Sequence, residues 1–134
     1  MKRLPILLAV MLLFGCSDRS DFGASLKAAA NRGSGTVVAF RDLTKFEWDT
    51  VYVYGPYHPF DDINKTHHLS LKSEYEGNSV SEGDCLYLFT LEGKVVETVF
   101  GPRYCGGIRE PGVYQKDKAV FQVKGPGPNW ELVK

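Results

Sequence analysis

A chain of 134 residues with 43% hydrophobic side chains has room for one domain built on one core. Its 16 basic and 16 acidic residues balance. With Lys2 and Arg3 set aside in a leader, 14 bases face 16 acids, a formal charge of −2 with no basic stripe, which sets nucleic acid aside as a partner.

Residues 1–15 read as a leader. Met1-Lys2-Arg3 is a basic n-region, and Leu4 to Phe14 is an apolar h-region too short to span a bilayer as a permanent helix. It closes in Leu13-Phe14-Gly15-Cys16, which resembles the bacterial lipobox. The resemblance implies that Cys16 becomes the first mature residue, with a thioether-linked diacylglycerol and usually an acylated amine. Each buried CH₂ contributes about 0.8 kcal/mol, so two or three chains hold a protein on the membrane essentially permanently. The alternative is an ordinary secretory peptide with a chance cysteine. Ser17 follows Cys16, where an Asp would signal inner-membrane retention in enteric-type bacteria. The expected location is therefore the periplasmic side of the outer membrane. Residues 16–20 then form a tether and 21–134 a single domain. Two cysteines remain, Cys85 and Cys105, and an even count in an oxidising compartment reads as one disulfide.

In chain order, Asp21 to Arg32 has helical spacing, with Phe22, Leu26, Ala29 and Ala30 on one narrow face, Ser20 or Asp21 as cap and Gly33 as terminator. Gly33-Ser34-Gly35 lacks the pattern and the preceding strand of a phosphate cradle, so it is a loop. Thr36 to Leu43 reads as a strand that Thr44 to Glu47 turns into a hairpin with the next. That next strand lies in Phe46 to Tyr57 (FEWDTVYVYGPY), the densest aromatic and β-branched stretch, and is the expected central strand. Gly55-Pro56 ends it.

His58-Pro59-Phe60-Asp61-Asp62 starts a second helix. Pro59 suits the first helical position, the carboxylates suit the positive end of the macrodipole, and the helix ends near His67 or His68. Leu69 to Tyr75 is open between loop and short strand, and Glu76 to Asp84 is a loop by composition. Cys85 to Leu91 and Lys94 to Phe100 flank Glu92-Gly93 as a hairpin. A two-residue loop there sets Phe89 against Val96 and Leu88 against Glu97. Both faces are mainly apolar, which predicts an interior position covered on both sides. Gly101 to Lys118 reads as a long surface loop, and Ala119 to Lys124 with Trp130 to Lys134 as a closing strand pair. The fold expectation is α+β: a single antiparallel sheet of about five or six strands with two short helices packed on one face.

The FEWDTVYVYGPY stretch, the CLYLFTLEGKVVETVFGPR hairpin and the closing AVFQVKG…NWELVK resemble a family of small bacterial lipoproteins whose activity is uncharacterised. The resemblance spans about Val37 to the C-terminus. Its motifs are strands and turns, so it implies a fold and carries no catalytic residue across.

Candidate chemistry is sparse. His58, His67 and His68 lie near Asp61 and Asp62, all ordinary ligands for a divalent ion. The spacing is not H-E-x-x-H, and on a helix His67 and His68 point about 100° apart. They are weak metal candidates beside the plainer reading of helix-start carboxylates and solvated histidines, and no cofactor is expected. Asp49 beside Trp48 is either an acid or base in an aromatic pocket or, more simply, a residue that closes a turn or bonds backbone groups. There is no G-x-S-x-G elbow and no C-x-x-C, so the chain does not read as an enzyme. Arg103 to Gly112 is the candidate binding loop, with Arg103, Tyr104 and Arg109 as its contact residues.

The expectation is a non-catalytic, membrane-anchored module that engages a protein partner, as an immunity or inhibitor lipoprotein or an accessory of envelope assembly. The alternative is a small-ligand or metal-binding lipoprotein using the His58–His68 segment or the Arg103–Gly112 loop.

Overall fold

The structure, a computed structural model, describes residues 21–102, 112–124 and 129–133. Helix α1 (Asp21–Asn31) opens the domain as its spacing predicts, burying Phe22, Leu26 and Ala29. Gly33 ends it with φ at +101°, a value its missing Cβ permits. Then follow β1 (Val37–Ala39), β2 (Thr50–Tyr54), α2 (Phe60–His67), β3 (Asp84–Leu91), β4 (Lys94–Pro102), β5 (Gly112–Gln115), β6 (Val120–Lys124) and β7 (Asn129–Leu132), with 3₁₀ turns at Phe40–Asp42 and Ser73–Tyr75.

The domain is α+β, but the seven strands make two antiparallel sheets instead of one, in the orders β4-β3-β2-β5 and β1-β6-β7. The expected hairpin between the first two strands is the point of departure. β1 stops at Ala39 because Phe40 turns the chain into a 3₁₀ turn and buries its ring. β1 pairs with β6, Val38 opposite Phe121, and the Phe40 N–H donates to Ala119 O at 3.0 Å. The place beside β2 goes to β5, a strand inside the stretch expected to be loop. The expected β6–β7 pair forms, Val123 opposite Trp130.

β2 and β3 are the two interior strands of the larger sheet. Side chains alternate between its faces, so Val51, Val53, Cys85, Tyr87 and Phe89 join α1 and the three-stranded sheet in one core. Leu86 and Leu88, with half-buried Tyr52 and Tyr54, join Phe60 and Ile63 of α2 in a second. Cys85 through Thr90 are all buried, as an interior strand with two apolar faces should be. The helices therefore lie on opposite faces of the sheet. The reason is sequence parity: α1 packs against the odd-numbered row of β2 and β3, α2 against the even-numbered row.

The hairpin turn at Glu92-Gly93 has positive φ at both residues, 51° and 81°, the backbone of a type I′ turn. Beyond it a bulge shifts the expected register by one, so that Phe89 faces Glu97 and Leu88 faces Thr98. Packing explains the bulge. Val96 and Val99, three residues apart, both join the α1-side core while Val95 joins the other. Strict alternation would send one of that pair to the wrong face.

Pro59 lies one place earlier than expected, just before α2, with extended ψ of 135°. His68 closes the helix in the left-handed region at φ 54°, and the Leu69 N–H reaches back to Asn64 O at 3.0 Å.

Candidate functional site

The strand directions give the larger sheet two ends. Tyr54, Asp84, Pro102 and Gly112 lie at one, and Thr50, Leu91, Lys94 and Gln115 at the other. Each carries candidate residues.

At the Tyr54 end, α2 lays its last turn over the sheet. His67 Nε2 is hydrogen-bonded to the Tyr54 hydroxyl, and the imidazole packs against Tyr52 with centroids 4.3 Å apart and planes tilted by 44°. Burial first, and then the neighbouring His68, lower the His67 pKa from 6.5; burial first, and then Tyr52, raise that of Tyr54 from 10.0. A neutral imidazole accepting from a protonated phenol satisfies both groups. His58 lies on the other flank of Tyr54, ring centroids 5.0 Å apart, with Nδ1 3.1 Å from Gly55 O.

The sequence candidates for metal are thus drawn apart. His67 faces tyrosines, and His68 is exposed at the helix end. Asp61, six residues before His67, projects about 120° away from it and accepts the Gly77 N–H at 3.3 Å. Among the described residues no three His, Cys, Asp or Glu side chains come together as a ligand set.

The same end carries exposed aromatic surface. Phe60, Tyr75 and Phe100 form a three-ring cluster, with Phe60 4.9 Å from Tyr75 and 6.2 Å from Phe100, and Tyr75 5.9 Å from Phe100. Phe100 is 40% exposed, and Tyr57, just past β2, is 62% exposed. Register sets Phe100 opposite Leu86, which is opposite Tyr54, so all three share the α2 face.

At the Thr50 end a cleft of about 730 Å³ is lined by residues including Arg41, Trp48, Asp49, Gln115, Lys116 and Asp117. Trp48 is buried, donates from Nε1 to Thr44 Oγ1 at 2.8 Å, and carries Lys116 Nζ 5.7 Å from its ring centroid. Asp49 is exposed and bonds backbone: its Oδ2 accepts the Glu92 N–H at 2.8 Å. That is the simpler of the two roles expected for it. Arg41, Lys116 and Asp117 escape sequence reading because they come from two segments more than seventy residues apart, with no spacing to mark them.

Cys16, Arg103, Tyr104, Cys105 and Arg109 lie outside the described residues. Cys85 is the one cysteine within them, buried in the α1-side core. The two strands that lead into and out of 103–111, β4 and β5, are the outer strands of the sheet, and both have these ends at the end of the sheet that carries Tyr54.

Compared with known proteins, the chain matches no family model, no curated protein and no solved structure.

Proposed function

We propose that this chain is a lipid-anchored envelope lipoprotein, facing the periplasm from the outer membrane, whose folded domain is a non-catalytic protein-binding module of the immunity, inhibitor or assembly-accessory kind. The anchor rests on the resemblance of Leu13-Phe14-Gly15-Cys16 to a lipobox. The binding role rests on one observation: Tyr57 and Phe100 expose large rings at the end of the sheet where β4 leaves toward Arg103 and β5 begins. Aromatic and arginine side chains are the residues most enriched at protein interfaces. The alternative of a small-ligand or metal-binding lipoprotein has less support where it uses the His58–His68 segment, because His67 and His58 are engaged by Tyr54 and Gly55 O. Its other candidate, the Arg103–Gly112 loop, lies outside the described residues but for Gly112.

Two measurements test the proposal. Metabolic labelling with a fatty-acid analogue should mark the wild-type chain and not Cys16→Ser; label on the variant removes the anchor. The mature chain used as bait in envelope extracts should retain a protein that the Tyr57→Ser/Phe100→Ser variant loses. Identical recovery by both baits removes the exposed rings as the binding surface.

A further inference from the structure

We infer that the α2 face docks a cationic polypeptide surface, seated on Phe100 and held by the carboxylates around it; this deepens the protein-binding reading above and rests on it.

The chain as a whole is neutral, but its charge is segregated. Residues 57–84, which cover the α2 face, hold six carboxylates between Asp61 and Asp84 against Lys65 and Lys72, a balance of −4. One ion pair among the described residues, Lys124–Glu131 at 3.7 Å, belongs to the other sheet. Three of the carboxylates adjoin the rings beneath Phe100. Asp61 follows Phe60 in α2, and Glu74 and Glu76 flank Tyr75. The Asp61 carboxylate reaches the Gly77 N–H, which brings the start of α2 against the Tyr75 segment, and the Phe60 N–H donates to Asn78 O at 2.9 Å.

An exposed ring on an aromatic base with charge at its margin has the layout of a docking site: an apolar anchor and a polar rim. The sign of the rim selects the occupant. An anionic lipid surface is repelled. A second copy of this chain meeting face to face brings carboxylate to carboxylate. A polypeptide surface with lysines or arginines around an apolar residue answers both features, and the negative field speeds its approach.

The test uses the full chain and two synthetic peptides that share leucine anchors, one with lysine at every other position and one with glutamate. Calorimetry should show binding of the lysine peptide only. That binding should weaken about tenfold in Asp61→Asn/Glu74→Gln/Glu76→Gln, in Phe100→Ser, and on raising salt to about 0.5 M. Unchanged melting temperatures establish that the variants, surface changes all, remain folded. Equal binding of both peptides, or wild-type affinity in the triple variant, overturns the inference. So does tighter binding in Arg103→Gln/Arg109→Gln, which would assign the carboxylates to the chain's own arginines. A photo-crosslinker placed at Phe100 in cells separates this inference from its parent. A protein adduct that persists undiminished in the triple variant leaves the protein-binding reading standing and removes the charge assignment. No protein adduct in either chain removes both.

Discussion

The hydroxyl of Tyr54, on an interior strand, and Nε2 of His67, the last residue of α2, are hydrogen-bonded partners. The pair ties the end of the helix to the sheet and makes stability depend on pH. Burial and His68 lower the His67 pKa, so between its folded value and 6.5 the unfolded chain binds more protons than the folded one. Stability from this residue is complete above about pH 6.5 and is lost as pH falls through that window. The melting temperature of the wild-type chain should therefore fall more steeply from pH 7 to about 5.5 than that of His67→Gln. Parallel profiles would mean that His67 does not carry the effect.

Asp49 separates a structural from a chemical role. Its carboxylate accepts the Glu92 N–H at the hairpin turn, and its own N–H donates to Thr90 O at 2.8 Å. Asp49→Ala removes the side-chain acceptor and should cost about 1 kcal/mol, a few degrees in melting temperature. Asp49→Asn keeps an oxygen in place and should melt close to wild type. If the two variants are equally destabilised, the charge and not the hydrogen bond is what the turn needs.

What was legible in the sequence and what was not divides along the range of the interactions. α1, α2 and the turn at Glu92-Gly93 are set by local spacing and backbone preference, and they lie where periodicity puts them. The apolar run from Cys85 to Leu91 carries its own interior position. The two-sheet arrangement depends on long-range pairing, since β1 finds β6 some eighty residues away. Nothing local marks that choice except Phe40, whose buried ring ends β1 early. The bulge at Val96 is equally non-local, because it answers to which core each valine must join. β5 was hidden by its length, four residues with one inward aromatic in glycine-rich surroundings.

Cys85 lies at the start of β3, opposite Gly101 in β4, and Pro102 ends β4 immediately after. Cys105 follows three residues on, and a bridge to it would close a loop of about 20 residues, worth roughly 3 kcal/mol by the chain-entropy account. Mass spectrometry of the non-reduced protein from the periplasm should find one linked peptide pair, and reduction should lower the melting temperature by about 10 °C. Two free thiols, with no effect of reductant, would instead make Cys85 a small hydrophobe of the core.

Gly112 and Tyr114 stand two apart on β5, and the tyrosine ring folds back over the glycine. A Cβ built on Gly112 falls within the Tyr114 hydroxyl and ring, so the side chain occupies the space the glycine leaves open. In that position the ring meets Phe121 of β6 edge-on at 5.2 Å and links the two sheets. Burial raises the phenol pKa from 10.0. Gly112→Ala must push the ring out, which should cost about 1–3 kcal/mol in urea denaturation and return the phenol toward its ordinary pKa. Tyr114→Ala loses the inter-sheet contact but frees the space, so adding Gly112→Ala to it should cost little more. The double variant should thus be more stable than the sum of the single losses by about 1 kcal/mol or more. Strict additivity would mean that Tyr114 does not need the room Gly112 provides, and that the glycine serves the backbone instead.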